Sequence, residues 1–256
     1  MVVRAGRCMT RSPLILAVET SSRVGSVALA LGGEMLAESG FSAPLRHSAE
    51  IFPAIRDLLE RFDREPSQIE HVYLSCGPGS FTGLRIAAAF AKTMHLANAA
   101  RIVAVNTLDV IAANVVNLAG VAPGSASDHP LPAIDCKRLA AVLDAKRGQF
   151  FVAVYERTAD GTWAKTCEDS LMSASQFLVR FARKEEPIRL LGDGLVYTRE
   201  RFQAEGVGFL DQQTWSPRAH NVHRLGWQMA LAGRFAEPLT LTPNYLRKPD
   251  VTMKSR

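Results

Sequence analysis

The sequence predicts an α/β protein made of two copies of one αβ unit that face each other across a cleft. Two apolar runs that each end in an acid, at 14–19 and 139–144, each open a series of three strands, a helix, a strand and a glycine turn. A turn-rich segment between them, rich in glycine, proline and serine, is typical of a boundary. We therefore expect residues 14–118 and 139–256 to form two lobes joined by a linker at 119–138.

The composition is typical of a folded cytoplasmic protein. Hydrophobic residues make up 47% and charged residues 21% of the 256 residues, and no apolar run approaches the length of a membrane span. Residues 1–13 lack the apolar core of a secretory signal, so we expect a disordered leader in which Met9 is an alternative start. The cysteines at 8, 76, 136 and 167 have no metal-binding spacing, which indicates reduced thiols and a cytoplasmic location.

The net charge of +5 resides at the two ends of the chain. The leader contributes +3 and the tail from Arg247 contributes +3, which leaves −1 for the rest. A near-neutral body gives no sign of a dedicated RNA-binding face, although basic tails attract nucleic acid in a salt-dependent way. Direct binding of nucleic acid by the tails stays open, and solvated chain ends are the alternative explanation of this charge.

The first half reads as three antiparallel strands followed by alternating helices and strands. Apolar alternation and the Gly32-Gly33 turn predict a hairpin, and helical spacing follows. The predicted strands are 14–18, 24–31, 34–39, 71–75 and 102–105, and the predicted helices are 48–62, 84–97 and 107–118. The second half repeats the order, with strands at 139–144, 150–155, 162–166 and 188–191 and helices at 173–183 and 220–232.

A glycine-rich turn at 76–85 connects the strand 71–75 to the helix 84–97. Such a strand-to-helix turn directs backbone N–H groups outward at the positive end of a helix dipole, as phosphate-binding loops do. Its spacing matches neither the P-loop nor the dinucleotide fingerprint. Close packing of the helix on the sheet is the alternative explanation of these glycines.

The helix 84–97 has almost no polar side, so it must be covered on more than one face. Its small residues would allow a second helix to approach closely. We expect it to form, with helix 48–62, a surface that binds another protein. The predicted interface residues are Ile51, Ile55, Leu58, Leu84, Ala87, Ala88, Ala91 and His95.

Six segments together resemble the bacterial TsaB family of tRNA threonylcarbamoyladenosine biosynthesis proteins. They are LAVETSS at 16–22, GPGSFTGLR at 77–85, NTL at 106–108, LDAKR at 143–147, GDG at 192–194 and PNYLR at 243–247. The resemblance runs from about residue 14 to residue 247. It implies a duplicated actin-like, ribonuclease H-like fold of the sugar-kinase and heat-shock ATPase class, within the glycoprotease-like family.

The resemblance implies a non-catalytic role beside a TsaD-type transferase subunit, which carries two metal-binding histidines four residues apart. At the corresponding positions this chain has Thr107 and Ile111, which cannot replace imidazoles, and we expect no metal site. The close pair His220 and His223 has no carboxylate cluster beside it in the sequence. The resemblance also implies a TsaE-type ATPase in the same machinery, tRNA bound through the complex, and a homodimer of the isolated chain.

The resemblance leaves nucleotide binding by this chain open, with ATP or ADP bound mainly in the complex. The residues expected around the cleft are Glu19, Thr20, Ser21, Gly77, Gly79, Asp144, Gly192 and Asp193. A different class of function uses the same acids: a stand-alone ATP-dependent enzyme of the sugar-kinase type, or a glycoprotease-type peptidase. No nucleophile elbow or His-Glu-x-x-His supports the peptidase.

Overall fold

The computed structural model describes residues 12–43, 46–119 and 134–247. Most of the predicted leader and linker, and the basic tail from 248, lie outside these ranges. The strands are β1 Leu14–Glu19, β2 Ser26–Leu31, β3 Glu34–Gly40, β4 Ile69–Ser75, β5 Arg101–Val105, β6 Arg138–Asp144, β7 Gln149–Arg157, β8 Trp163–Ser173, β9 Ile188–Leu191 and β10 Val207–Phe209. The helices are α1 His47–Arg61, α2 Phe81–Asn98, α3 Thr107–Ala112, α4 Ala174–Phe181 and α5 Ala219–Leu231. Within the described residues, no helix has both the length and the apolar character to cross a bilayer.

The strands form two five-stranded sheets with the same topology. The first has the order β3-β2-β1-β4-β5 and the second, read in the matching direction, β8-β7-β6-β9-β10. In each, the first three strands are antiparallel and the fourth lies parallel to the first. The repeated topology confirms the α/β class and the duplicated actin-like fold.

The two faces of the first sheet have different neighbours. One face packs against α1 and α2 around Leu16, Leu74 and Ile102. The opposite face, with Ala17 and Tyr73, belongs to a core that continues through α3 and α5 into the second sheet. The sheet is buried on both faces, which explains the uninterrupted apolar run of β1.

The helix α5 packs on the first sheet, although the sequence assigned it to the second lobe. Its Ala219 N donates to Ser26 Oγ at 2.8 Å, and His223 Nε2 lies 2.8 Å from Gly32 O. Gly226 permits this approach, since a Cβ there would lie 2.6 Å from the ring of Tyr73. The lobe boundaries stay a prediction, but the segment 139–256 does not pack as one unit.

The helix α3 ends six residues earlier than predicted. The chain after Ala112 leaves the helix to pair with the start of β8, where Trp163 N donates to Asn117 O at 2.9 Å. Ala119 N completes the pairing by donating to Trp163 O at 2.8 Å. Residues 107–118 are therefore apolar because the short helix and the extended segment that follows it are both buried.

The second sheet also departs from the predicted boundaries. The strand β8 continues from Trp163 to Ser173, well beyond the predicted end at 166, and β7 pairs with it through irregular register. The short edge strand β10 was missed because its three residues are only half-buried and show no alternation. Irregular pairing and half-burial both weaken the periodicity on which strand prediction depends.

A partly buried ionic network joins α3 to β7 and β8. Lys165 Nζ lies 2.7 Å from Asp109 Oδ1 and 2.9 Å from Asp169 Oδ1. Tyr155 donates its hydroxyl to the same Asp109 oxygen at 2.7 Å. Burial lowers the pKa of Lys165, but the two aspartates outweigh it and the pKa is raised. The network therefore holds Lys165 charged between the two halves of the fold.

Replacing Lys165 with methionine should destabilise the protein by about 3 kcal/mol, because two neighbouring carboxylates lose their shared cation. Lys184→Met provides the control, since Lys184 and Glu205 form an ion pair with both side chains 70% exposed. We expect that substitution to change the free energy of unfolding by less than about 0.5 kcal/mol. Urea unfolding measures both, and equal effects would contradict a structural role for the network.

Candidate functional site

The glycines of the 76–85 turn are required by close contact with the loop that follows β1. A Cβ at Gly79 would lie 2.4 Å from Ser21 O, and one at Gly83 would lie 1.8 Å from Thr20 O. Hydrogen bonds join the same two segments: Ser80 N donates to Ser21 O at 2.7 Å, and Thr20 Oγ1 donates to Gly83 O at 2.8 Å. The packing explanation of Gly79 and Gly83 is therefore sufficient without a phosphate.

The C-terminal segment supports the beginning of the same turn. Asn244 N donates to Cys76 O at 2.7 Å, and Gly77, with φ of +111°, lies so close to Asn244 O that a Cβ would approach it to 2.7 Å. The segment then reaches the second sheet, where Arg247 Nη1 donates to Ala145 O at 2.8 Å. The PNYLR motif thus connects the glycine turn to the loop after β6.

A cavity of about 570 Å³ lies between the loop after β1, the glycine turn, the β6–β7 turn and the PNYLR segment. Of the eight predicted cleft residues, four line it: Ser21, Gly79, Asp144 and Asp193. The other four, Glu19, Thr20, Gly77 and Gly192, do not line it. Gly192 has φ of +122° and a Cβ there would lie 2.1 Å from Val142 O, so it serves close packing on β6.

Glu19 is fully buried behind the cavity wall. Its Oε1 accepts hydrogen bonds from Ser21 N at 2.6 Å and Ser21 Oγ at 2.5 Å, and its Oε2 accepts one from Ser75 Oγ. Burial raises the pKa of Glu19 from 4.5 to about 7, although the serine hydrogen bonds lower it in part. The carboxyl group therefore braces β1, β4 and the loop after β1, and it is not presented to a ligand.

Because folding raises the pKa of Glu19, the stability it contributes is complete below about pH 4.5 and is lost as the pH rises to about 7. Glu19→Gln removes this ionisation and keeps the size. We expect the wild type to lose about 3 kcal/mol more stability than the variant across that interval. Urea unfolding from pH 4.5 to 8 measures the free energy of unfolding of the wild type and of the variant. The contributions of other titrating groups cancel in the difference between them.

The exposed Glu34 on β3 gives a matched control, since Glu34→Gln makes the same chemical change at the surface. The control should retain the pH dependence of the wild type. If the free energy of unfolding of wild type and of Glu19→Gln changed in the same way with pH, the assignment of this titration to Glu19 would be contradicted.

The two acids that reach the cavity already have partners. Asp144 accepts from Lys146 Nζ and from Lys146 N, both at 2.7 Å. Asp193 accepts from Arg23 N at 3.0 Å, and burial raises its pKa. Across the described ranges, no group of three or more His, Cys, Asp or Glu side chains is arranged to hold a metal ion. Both acids are therefore already engaged within the chain, Asp144 by Lys146 and Asp193 by the Arg23 amide.

The remaining wall of the cavity is aromatic and basic, which the sequence reading missed. Phe81 and Tyr245 pack with their rings tilted by 40° and their centroids 5.2 Å apart, and the guanidinium of Arg85 lies over Phe81 at 3.7 Å. Across the cavity, Arg23 lies 4.9 Å from the ring centroid of Tyr197. The basic side chains that line the cavity are Arg23, Lys146, Arg147 and Arg247. Three of these cations lie in two of the recognised motifs, LDAKR and PNYLR. These motifs were therefore the signal in the sequence from which the basic wall could have been predicted.

The residues predicted to contact a partner are largely enclosed by their own chain. Ile51, Ile55, Leu58, Leu84, Ala87, Ala88 and Ala91 are buried against the first sheet, and the half-buried His95 bonds to Ala100 O at 3.0 Å. That these residues contact a partner stays a prediction, and in the free chain most of their side chains face the core. That α1 and α2 bind a partner stays a prediction, because each helix has another face that is exposed.

One patch on the exposed surface of the two helices is mainly apolar, whereas the later part of α1 exposes charged side chains such as Arg56 and Glu60. Ala89, Thr93 and Leu96 of α2 recur at helical spacing, and Ala49, Phe52 and Pro53 of α1 lie on the neighbouring helix. Phe52 is 63% exposed and Leu96 75% exposed. Phe52 packs edge-on against Phe90 of α2, with centroids 6.0 Å apart. We call these six residues the α1–α2 face.

The positions that hold metal in the transferase subunit, by the resemblance, lie in the core here. Thr107 and Ile111 of α3 are both fully buried. The side-chain oxygen of Thr107 has no hydrogen-bond partner. His223, one of the close histidine pair, bonds to Gly32 O and serves the packing of α5. None of these side chains is placed to bind a ligand from solution.

Comparison with known proteins agrees with the fold and the motifs. A family model described as TsaD, tRNA N6-adenosine threonylcarbamoyltransferase, matches residues 42–187. The TsaB protein of Bacillus subtilis is 26% identical over 94% of this chain and 96% of its own length. The TsaB protein of Escherichia coli is 24% identical over 91% of this chain and 94% of its own length.

Among solved structures, YeaZ from Pseudomonas aeruginosa superposes with a TM-score of 0.72. It is 24% identical, and the match covers 91% of this chain and all of that chain. At this identity the likeness shows the fold. Together with the family model and the TsaB relatives, it leads to one assignment: the chain belongs to the TsaD family of tRNA N6-adenosine threonylcarbamoyltransferases, where its near full-length relatives are TsaB proteins of tRNA threonylcarbamoyladenosine biosynthesis.

Proposed function

We propose that this chain is a non-catalytic subunit that binds and activates a TsaD-type transferase subunit in tRNA threonylcarbamoyladenosine formation. The observation that carries the proposal is the exposed apolar α1–α2 face on a chain of this family. Two large apolar side chains, Phe52 and Leu96, are more than half exposed there. Apolar side chains presented together by two neighbouring helices are typical of a protein-binding surface.

The arrangement of α2 gives the face a route to the cavity. Its first turn contributes Phe81 to the cavity wall, and its outer side contributes Ala89, Thr93 and Leu96 to the face. Because the same 18-residue helix carries both groups of residues, we propose that binding at the face shifts Phe81 at the cavity. This is our physical account of activation without a catalytic residue.

The core positions of Thr107 and Ile111 support a non-catalytic role. A buried isoleucine and a buried threonine cannot supply the two imidazoles that the resemblance assigns to the transferase subunit. The acids near the cavity have partners of their own, which also disfavours a stand-alone ATP-dependent enzyme. A TsaE-type ATPase, tRNA held by the complex and a homodimer of the free chain belong to the same proposal.

Mixing this chain with a purified TsaD-type subunit tests the proposal. We expect one co-eluting species on a sizing column. We also expect threonylcarbamoyl transfer to tRNA by the transferase to rise when this chain is added. Separate elution together with unchanged transfer would overturn the proposal. The free chain at increasing concentration, followed by sedimentation, reports the homodimer independently.

A further inference from the structure

Residues 236–247 run along the flank of α2 that faces away from α1, and we call them the C-terminal strap. Phe90 of α2 packs against Phe52 of α1, and Lys92 lies about 200° further around the helix, since successive residues are about 100° apart. On that flank, Lys92 Nζ donates to Leu239 O of the strap at 3.3 Å. The exposed strip of α2 therefore lies between α1 on one side and the strap on the other.

Leu239 presents a large apolar side chain to solvent at the edge of this strip. It is 73% exposed, whereas Leu241, two residues later, is buried in the core beneath α1 and α2. Leu96 is 75% exposed and lies one helical turn after Lys92 on the same side of α2. Lys92 thus adjoins both exposed leucines, and the strap extends the α1–α2 face on the flank opposite α1.

The strap is held in place by its own chain. Ala236 N donates to Ile102 O of β5 at 2.8 Å, and Asn244 N donates to Cys76 O at 2.7 Å. The buried Leu241 anchors the stretch between these two hydrogen bonds. A side chain on such a restrained segment loses less conformational freedom on binding than one on a free tail, which favours its use in an interface.

The Lys92 ammonium shows which kind of partner the extended surface fits. Its hydrogen bond to the Leu239 carbonyl engages the charge within the chain, so this cation does not call for an acidic partner. Exposed leucines on adjoining elements favour a partner that also presents apolar side chains. The strap surface therefore has the same character as the α1–α2 face and is continuous with it.

We infer that the strap is a third docking element, and that Leu239 contacts an apolar patch of the TsaD-type subunit beside Phe52 and Leu96. The inference rests on the proposed function and adds to its surface a segment far from α1 and α2 in the sequence. The strap continues to the second sheet, where Arg247 Nη1 donates to Ala145 O at 2.8 Å. A subunit bound to Leu239 therefore touches an element that is hydrogen-bonded to the first sheet and to the loop after β6.

The dissociation constant of the full chain for a purified TsaD-type subunit, measured by calorimetry, tests the inference through Leu239→Ser. The substitution removes apolar area that the interface would bury, and we expect binding about tenfold weaker than that of the wild type. Leu231→Ser is the matched control, because it makes the same change at a 63% exposed leucine of α5, on the opposite face of the first sheet. The control should bind as the wild type does, and urea unfolding checks that both variants are folded.

Hydrogen exchange gives a second readout that needs no substitution. We expect the backbone amides of residues 239–242 to exchange more slowly in the complex than in the free chain, because the bound subunit would cover them. The edge strand β10 of the second sheet is the internal reference, and its amides should exchange at the same rate in both states.

The outcomes separate this inference from the proposed function. If the wild type binds and Leu239→Ser binds equally well, or if exchange in the strap is unchanged in the complex, the inference is overturned and the proposed function stands. If Leu239→Ser weakens only the self-association of the free chain, followed by sedimentation, the strap faces a second copy and the inference is again overturned. Absence of binding by the wild type would overturn the proposed function itself, and the inference with it.

Discussion

Replacing Phe52 and Leu96 with glutamate together is expected to abolish binding to a TsaD-type subunit while the fold stays intact. Both side chains are mostly exposed in the free chain, so their replacement removes little buried apolar area on folding. In the complex, each glutamate would be a charge taken out of water without a partner. We expect a loss of at least about 3 kcal/mol, or more than about 100-fold in the dissociation constant.

The matched control is Val179→Glu, which places the same charge on α4 at a side chain that is 90% exposed. The control should co-elute with the transferase subunit as the wild type does, and it should support the same rate of transfer. Urea unfolding of each variant confirms that the comparison is between folded proteins. Normal co-elution of the double variant would move the docking surface away from α1 and α2.

The buried neighbours make a poor test of the same idea. Ala88 and Ala91 belong to the packed side of α2, where Ala91 is fully enclosed. A charge at either position would break the core and remove binding through unfolding. Ala89→Glu is the informative third variant because Ala89 lies one residue along on the exposed side. It should also weaken the homodimer, if the free chain pairs through the same face.

Replacing Gly83 with alanine should destabilise the protein by about 3 kcal/mol or more. Helix propensity alone predicts the opposite sign, since Gly83 lies within α2 and alanine favours a helix by about 1 kcal/mol over glycine. The added Cβ would, however, lie 1.8 Å from Thr20 O, which is backbone and cannot rotate away. The clash with this fixed backbone atom therefore outweighs the gain in helix propensity, and the net effect on stability is destabilising.

Gly40→Ala at the end of β3 is the control, because nothing lies within 4 Å of the added atom. We expect that variant to be within about 0.5 kcal/mol of the wild type. Denaturant unfolding measures both, with circular dichroism to follow the helices. If Gly83→Ala were neutral or stabilising, the glycine turn and the loop after β1 would have to separate easily. That result would contradict the close contact between them at the cavity wall.

The sequence predicted the repeated order of strands and helices because burial leaves a periodic trace. The apolar runs of β1 and β6 each end in an acid, and each run is fully buried in the centre of its sheet. The resemblance to the family, rather than periodicity, placed the motif residues Ser21, Gly79, Asp144 and Asp193 around a cleft, and each follows a strand or a strand-like turn. These features are local, and a single segment is enough to identify each one.

The side of α2 that faces the sheet could not be predicted, because its apolar residues surround the helix almost completely and the hydrophobic pattern gives no direction. The position of α5 on the first sheet, the partners of Asp144 and Asp193, and the aromatic wall of the cavity depend on residues far apart in the chain. Tyr245 and Arg85, 160 positions apart, meet only because the C-terminal segment crosses the glycine turn. Amino-acid order thus determined the repeated fold and the strand ends around the cleft. Three-dimensional packing decided which surfaces are exposed and which charges are already paired, since both depend on contacts between distant segments.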